Sequence, residues 1–566
     1  MAESAPGASL ARKIPAGPLG QLVDVPFNAR TLWEAGVIQP TRPDTLARTL
    51  RELLRWGASP AAGVATGAIT RGDEPAVIDE AGTLTFTELH KRSNALARGL
   101  AADGISEGDG VAVMCRNHRG FLDATLACSK LGAHALYLNT AFAAPQLAGV
   151  VENERPTALI YDEEFRELLG EALEAEGGDE LKRYVAWADC EDQDAPAQAV
   201  TGETPDPALE DLIASNDHSD VRPPDEEARF IILTSGTTGT PKGAQRSAPA
   251  SLAPLAAMFS RIPLRAEERV MIAAPLFHSW GMAHFQLGLA LRSTYVLRRK
   301  FDPEETLRAT AESGATALVV VPVMMQRILE LPEETIREYD LSALRVTAAS
   351  GSALPGELAN KWMDTFGENL YNLYGSTEVA WATIATPEDL RAAPGTAGKP
   401  PRGTVVKIVD QEADEEVPPG ETGRIFVGNE MAFEGYTGGG GKDEYKGLLS
   451  SGDVGHFDDE SRLFIDGRDD EMIVSGGENV FPREVEDLLS DHDAIKEVAV
   501  IGVDDEEFGQ RLKAFVVTGD GGDLSEEEVK KHVKSNLAGF KVPREVEFLD
   551  ELPRNATGKV LKRELV

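Results

Sequence analysis

The sequence predicts an α/β protein: a large N-terminal region of mostly parallel sheets flanked by helices, a small β-rich subdomain, and a compact α+β piece at the C-terminal end. Three observations carry this prediction. Between about residues 84 and 372, short Val/Ile/Leu runs alternate with segments of helical length and Gly turns, the pattern of parallel sheets covered on both faces. After 372 the apolar runs are separated by Pro/Gly turns, as in antiparallel strands. Beyond Asp470 a helix, two strands and a second helix follow within about 95 residues, long enough for a unit of its own.

Taken in order, residues 84–86 read as a strand, with Thr87 as N-cap of a helix whose Leu89, Leu96 and Leu100 share one face. The turn Gly108-Asp109-Gly110 leads into a strand at 111–114. Further strands are expected at 230–233, 270–274, 294–297, 317–321 and 344–348, with helices at 303–313 and 355–366. The acidic, Pro-containing stretch 203–227 reads as a surface connector. Strands at 405–409 and 424–427 flank the turn Pro418-Pro419-Gly420, and 438–441 is a glycine loop. In the last piece a helix starts at Pro482 and strands run at 498–503 and 512–517. Ser525 with Glu528 forms a capping box for a helix to about 537. The domain expectation is an extension at 1–60, a large domain at 61–469 with its β-rich part at about 380–469, and a C-terminal domain at 470–566.

Composition narrows the function classes. Against 56 Lys+Arg stand 94 Asp+Glu, a net charge of −38 over 566 residues, which repels nucleic acid and anionic lipid. No uninterrupted apolar run approaches the ~18 residues of a membrane span, and the first thirty residues hold no leader-like apolar core. Cys115, Cys128 and Cys190 lack both even number and metal-ligand spacing, so reduced thiols and a cytoplasmic location are expected. The oligomeric state is not assigned.

The segment Thr234-Ser235-Gly236-Thr237-Thr238-Gly239-Thr240-Pro241-Lys242-Gly243 follows a predicted strand. Its glycines let backbone N–H groups converge on an anion, and its hydroxyls and one ammonium add donors, so it has the make-up of a phosphate cradle. It is not a Walker A loop, because Pro241 precedes the lysine and Gly243 stands where Ser or Thr would be.

This segment resembles the phosphate loop of the adenylate-forming superfamily of acyl-CoA synthetases, luciferases and peptide-synthetase adenylation domains. Four further signatures follow in that family's order. In Tyr371-Asn372-Leu373-Tyr374-Gly375-Ser376-Thr377-Glu378 the resemblance implies that Tyr374 stacks on adenine, Thr377 bonds a phosphate and Glu378 ligates Mg²⁺, with Gly375 and Ser376 in the same nucleotide loop. In Ser451-Gly452-Asp453 it makes Asp453 the acceptor of the ribose hydroxyls, and Arg468 a second nucleotide contact. Taken alone, Asp453 would read as a turn aspartate. Asp470 falls at the family's hinge, and Ser475, Gly476 and Gly477 beside its CoA channel. Lys559, in Pro553-Arg554-Asn555-Ala556-Thr557-Gly558-Lys559, matches the catalytic lysine, carried on a mobile C-terminal domain. Gly351 and Ser352 stand at the adenine-face turn, where Ser350-Gly351-Ser352-Ala353 departs from the common Gly-Gly-Ala-Pro.

The implied reaction is ATP-dependent and forms AMP: a carboxylic acid becomes an acyl-adenylate, then an acyl-CoA, with ATP, Mg²⁺ and coenzyme A as small-molecule partners. His278 and Trp280, in a Pro275–Gly281 motif, with Val320 and Met324, are the expected acyl-pocket residues, although plain core packing is the stronger reading of the last two and a hydrogen-bonded buried histidine fits His278 equally well. No counter-charge for a second ionised group stands out, so a medium- or long-chain fatty acid is expected. An aryl- or steroid-acid ligase of the same fold is the alternative, and a non-catalytic acyl- or nucleotide-binding relative is a third. Arg298-Arg299-Lys300 reads either as a solvated turn or as a weak contact with anionic lipid.

Overall fold

In the computed structural model the residues described are 18–174, 181–188, 205–234, 242–246, 251–410, 415–431, 433–437, 439, 441–469, 473–475, 478–505, 509–519, 524–537, 539–555 and 558–565. The chain divides into two units. The first comprises 1–320, 327–348 and 430–442, the second 321–326, 349–429 and 443–566.

The first unit holds the predicted parallel sheets. A seven-stranded sheet runs Phe433–Tyr436, Lys242–Arg246, Phe230–Thr234, His134–Tyr137, Gly110–Met114, Ala158–Asp162, Lys182–Trp187. Its last five strands are parallel, and its first two pairings are antiparallel. A second sheet contains Ala317–Val320, Arg269–Ile272, Thr294–Leu297, Pro75–Asp79 and Gly82–Thr85, and these five strands pair in parallel except for the last two. The helix Arg119–Leu131 is buried along nearly its whole length, which suits a helix enclosed between layers.

Three local differences from the sequence reading have physical causes. The helix carrying Leu89, Leu96 and Leu100, all fully buried, begins at Phe86 rather than after Thr87. Thr85 Oγ1 accepts from Glu88 N at 3.2 Å and Glu88 Oε2 accepts from Thr85 N at 2.7 Å, so the capping box sets the start two residues early. The presumed connector at 203–227 contains the helix Leu209–Ser215, with Ala208, Leu209 and Ile213 buried. Its Glu210 is held by Arg92, which donates to it at 2.5 Å and to Asp123 at 2.7 Å. The strand Phe433–Tyr436 pairs with Lys242–Arg246 in the first unit instead of joining the β-rich part around it.

The N-terminal stretch is helical at Pro18–Glu34, Pro43–Trp56 and Pro60–Arg71. The third helix buries Ala61, Ala62, Val64 and Ala65. Among the described residues no helix is long and apolar enough to cross a membrane. Cys115 and Cys128 are buried free thiols, and Cys190 lies outside the described residues.

In the second unit, Val405–Val409, Gly423–Gly428, Leu448–Phe457 and Glu444–Tyr445 form an antiparallel sheet, with Leu463–Arg468 added beside Leu448–Phe457. The strands Leu370–Tyr374 and Thr383–Ala385 make an antiparallel pair. The C-terminal α+β piece centres on Ile495–Asp505 and Gly509–Thr518, with Glu545–Phe548 parallel to the latter. The helices Pro482–Ser490 and Glu526–Asn536 place Val485, Leu489, Val529 and Val533 in its core. The Ser525–Glu528 capping box is present as read from the sequence.

Candidate active site

The most developed polar cluster of the second unit grows out of one strand pairing. Leu448–Phe457 and Leu463–Arg468 pair so that Asp453 lies directly opposite Arg468, and side chains opposite one another on antiparallel strands meet on one face. Arg468 Nη1 donates to Asp453 Oδ1 at 3.2 Å. The Tyr374 hydroxyl, at the end of Leu370–Tyr374, donates to Asp453 Oδ2 at 2.5 Å, with Ser451 Oγ 3.2 Å from the same hydroxyl. Burial raises the Asp453 carboxyl above the ordinary range, opposed by the charge of Arg468, the Tyr374 hydrogen bond and the charge of Lys559. Burial and the facing Asp453 carboxylate together push the Tyr374 hydroxyl well above the usual phenol range. The result is a phenol that stays protonated, held against a carboxylate that is nearly buried.

After Tyr374 the chain turns sharply. A Cβ on Gly375 would stand 2.2 Å from the Ala380 carbonyl oxygen and 2.7 Å from Trp381 Cα, so no larger residue fits. Ala382 N returns to Tyr374 O at 2.8 Å, Ser376 Oγ accepts from Val379 N at 3.4 Å, and Asn429 Nδ2 donates to Val379 O and Trp381 O. This loop carries Thr377 and Glu378, and Glu378 is 9% exposed. In the turn that follows Val346–Ala349, Gly351 takes a φ of +95° and precedes the half-buried Ser352.

Lys559 is presented on a tight reversal. Asn555 Oδ1 accepts from Lys559 N and Asn555 N donates to Lys559 O, both at 2.9 Å. Arg554 donates to Gly558 O at 2.6 Å and to Glu497 at 2.8 Å, which ties the reversal to the Ile495–Asp505 strand. Gly558 has φ +81°, and a Cβ there would reach within 2.2 Å of Val323 Cγ1. The Lys559 side chain is exposed.

Other expected residues are placed by backbone only or not at all. Thr234 and Lys242 are paired across their strands. Ser235, Gly236, Thr237, Thr238 and Gly239 lie outside the described residues, as do Asp470, Gly476 and Gly477. Ser475 ends the strand Ile473–Ser475.

In the first unit His278 is the N-cap position of Ser279–Leu291, and Trp280 is buried with Nε1 donating to Val320 O at 3.1 Å. The Val320 side chain is fully buried in its strand. Met324, in the second unit, sits nearly buried in Pro322–Leu329. Two residues with no sequence signal matter here. Asn117 donates to Ile272 O and Ala274 O and accepts from Leu276 N, fastening the segment that carries His278. His284 packs edge-on against Trp280, ring centroids 4.2 Å apart, with Nδ1 3.2 Å from Trp280 O. A carbonyl can only accept, so Nδ1 carries the proton and Nε2 is a lone-pair acceptor. That Nε2 is buried and has no hydrogen-bond partner among the described residues. Burial lowers both His278 and His284 to about 4.

Two other clusters are structural. Arg298 pairs with Glu305 at 2.5 Å, and Arg299 and Lys300 share Glu164 at 2.9 and 3.2 Å. Each member of the basic triplet is therefore ion-paired within the fold, while Lys300 keeps 58% of its side chain exposed. Cys115, His118 and Asp162 lie together, but His118 Nε2 is held by Asp162 at 2.8 Å and its Nδ1 accepts from Gly120 N at 3.1 Å. Both imidazole nitrogens are used, which leaves no lone pair for a metal.

Comparison with known proteins matches residues 65–437 to the AMP-binding enzyme family and 484–559 to the AMP-binding enzyme C-terminal domain. The chain is 31% identical to a putative acyl–CoA ligase, YdaB, of Bacillus subtilis (strain 168) over 85% of this chain and 93% of that protein. It is 33% identical to a feruloyl-CoA synthase of an Amycolatopsis species, again over 85% and 93%. Among solved structures it resembles ATP-bound MatB from Rhodopseudomonas palustris, with a TM-score of 0.75 and 28% identity, covering 90% of this chain and 98% of that one.

Proposed function

The chain belongs to the AMP-binding enzyme family, and from that premise we propose that it is an AMP-forming acid–thiol ligase that converts an apolar carboxylic acid to its acyl-CoA through an acyl-adenylate. The observation that carries this reading is the Tyr374–Asp453–Arg468 cluster: a carboxylate with a fixed aromatic beside it and a guanidinium behind it suits a ribose and its base. Relatives named as CoA ligases of acyl and aryl acids support the reaction class.

The chemistry assigns work to each part. In the first step an oxygen of the acid's carboxylate bonds to the α-phosphorus of ATP and the bond to pyrophosphate breaks. An anion approaches a polyanion, so positive charge and fixed donors dominate the barrier. The loop 234–243 supplies amides, hydroxyls and an ammonium, and Lys559 supplies a second ammonium. Glu378 offers a hard carboxylate oxygen suited to Mg²⁺, which supplies further charge neutralisation on the phosphates when bound. Asp453 orients the ribose, and Tyr374, with its ring held by its own hydroxyl, offers a face to adenine. In the second step the CoA sulfur bonds to the acyl carbon, its proton leaves, and AMP departs. Lys559 has no task there, so we assign it to a C-terminal domain at 470–566 that turns at Asp470, with Ser475, Gly476 and Gly477 along the thiol's approach.

For the acid, a medium- or long-chain fatty acid is the first reading, since His278, Trp280 and Val320 offer no counter-charge. An aryl acid is the second, and a specific observation favours it. The Nε2 of His284 beside Trp280, unpartnered among the described residues, would accept from an O–H or N–H on an aromatic tail. Product analysis with ATP, Mg²⁺, CoA and a panel of alkyl, hydroxyaryl and steroid acids tests both. AMP and one acyl-CoA should appear together in equal amounts, and AMP without acyl-CoA from any acid would overturn the thiol-ligase reading.

A further inference from the structure

Of the nine large apolar side chains that stand exposed among the described residues, seven lie between 25 and 54: Val25, Trp33, Ile38, Leu46, Leu50, Leu53 and Leu54. Apolar residues scattered singly over a surface need no explanation, but a concentration in one short stretch does. Four of them occupy a single helix, Pro43–Trp56, at spacings of i, i+4, i+7 and i+8 from Leu46, which puts them on one face. That face points away from the protein. The face turned inward is marked by Glu52 and Trp56, both buried, with Trp56 Nε1 donating to Glu52 Oε2 at 3.2 Å. A helix that buries a glutamate and exposes four leucines is inverted relative to an ordinary surface helix, with Leu54 at 89% exposure.

The same helix carries Arg48, Arg51 and Arg55, three residues and then four apart, so the arginines form a second row on the polar side of the helix, which meets the leucine stripe at Arg51 and Leu54. Arg51 leans on Glu52 at 2.9 Å yet remains 71% exposed, whereas Arg55 is held against Glu52 and the Val221 carbonyl. In a chain with 38 excess negative charges this is a local reversal of sign. An apolar stripe with arginines on the polar side is the arrangement by which a helix lies in the interface of an anionic bilayer, leucines among the acyl chains and guanidinium groups reaching to the phosphates.

We propose that the Leu46–Leu50–Leu53–Leu54 face of Pro43–Trp56, with Arg48 and Arg51, docks the protein on anionic lipid bilayers. Charge complementarity selects this partner. Area argues against a second copy of the chain, because four leucines present a few hundred Å², short of the ~800 Å² per partner of a stable dimer. The paired triplet Arg298-Arg299-Lys300 plays no part, its charges being answered by Glu164 and Glu305. The proposal does not depend on the reaction assigned above.

Co-sedimentation of the full chain with vesicles tests it. Vesicles of phosphatidylcholine with phosphatidylglycerol should bind at least ~10-fold more tightly than phosphatidylcholine alone, and added salt should weaken that binding. The double variant Leu50→Gln with Leu54→Gln should reduce binding ~10-fold and Arg48→Gln about fivefold, with elution volume and urea midpoint unchanged. Absence of vesicle binding, or binding indifferent to headgroup charge or to the leucine variant, overturns the proposal. A concentration-dependent dimer that the leucine variant abolishes would make a second copy the occupant, and a lowered urea midpoint would show that another part of the chain covers the leucines; both also overturn it.

Discussion

At the scale of single residues the second unit is organised around Asp453, which is held by Tyr374 and Arg468 at 2.5 and 3.2 Å. A hydrogen bond to a buried charged group contributes more than an ordinary one, so Tyr374→Phe should cost about 2 kcal/mol in urea unfolding and raise KM for ATP. Lys559→Ala should slow adenylate formation by about 10²–10³, the scale of one electrostatic donor at a developing charge. Thioester formation from supplied acyl-adenylate should persist, and equal loss in both half-reactions would refute the division of labour assigned to Lys559. Short motifs single out Tyr374, Asp453 and Arg468 in the sequence, and the structure holds these three side chains together. Asn117 and His284 were not legible there: Asn117 earns its role from three hydrogen bonds to residues more than 150 positions away, and His284 from the lack of one among the described residues.

At the scale of elements, strand and helix types were legible wherever apolar periodicity was strong, as in Pro303–Ser313 and Val405–Val409, whose bounds agree with the sequence reading. Ends were decided by chemistry that periodicity does not register. The Thr85–Glu88 capping box began its helix before Thr87, and Thr85→Ala should cost about 1 kcal/mol in the urea midpoint. The helix Leu209–Ser215 was hidden because acidic residues dominate its segment, and the partner of its Glu210, Arg92, lies more than a hundred residues earlier. The turn after Tyr374 is equally specific. Gly375→Ala drives a Cβ into backbone rather than a side chain that could rotate away, so a loss of at least about 2 kcal/mol is expected by thermal unfolding.

At the scale of the whole molecule, three histidines largely withdrawn from solvent make stability fall as pH falls. His90, His278 and His284 are each lowered to about 4 by burial, against an ordinary value of 6.5. Above pH 6.5 both folded and unfolded chains leave them neutral. As pH falls from 6.5 toward 4 the unfolded chain gains protons that the fold refuses, so stability drops by about 1.4 kcal/mol per pH unit for each such group. His456, raised by its hydrogen bond to Asp466, works in the opposite direction. Urea midpoints measured from pH 7 to pH 4.5 should fall steadily, and His284→Gln should flatten that decline. The division of the chain into α/β, β-rich and α+β textures was legible from composition along the sequence. The excursion of Phe433–Tyr436 into the first unit was not, because a four-residue strand does not announce its partner.

That excursion has a consequence for synthesis. The strand Lys242–Arg246 leaves the ribosome about 190 residues before the strand that covers its open edge. At the usual pace of translation the interval lasts roughly 10–40 s. Throughout it the nascent sheet presents a row of unpaired amides and carbonyls, the kind of edge that recruits strands from other chains. A chain truncated anywhere between 247 and 432 would keep that edge open permanently.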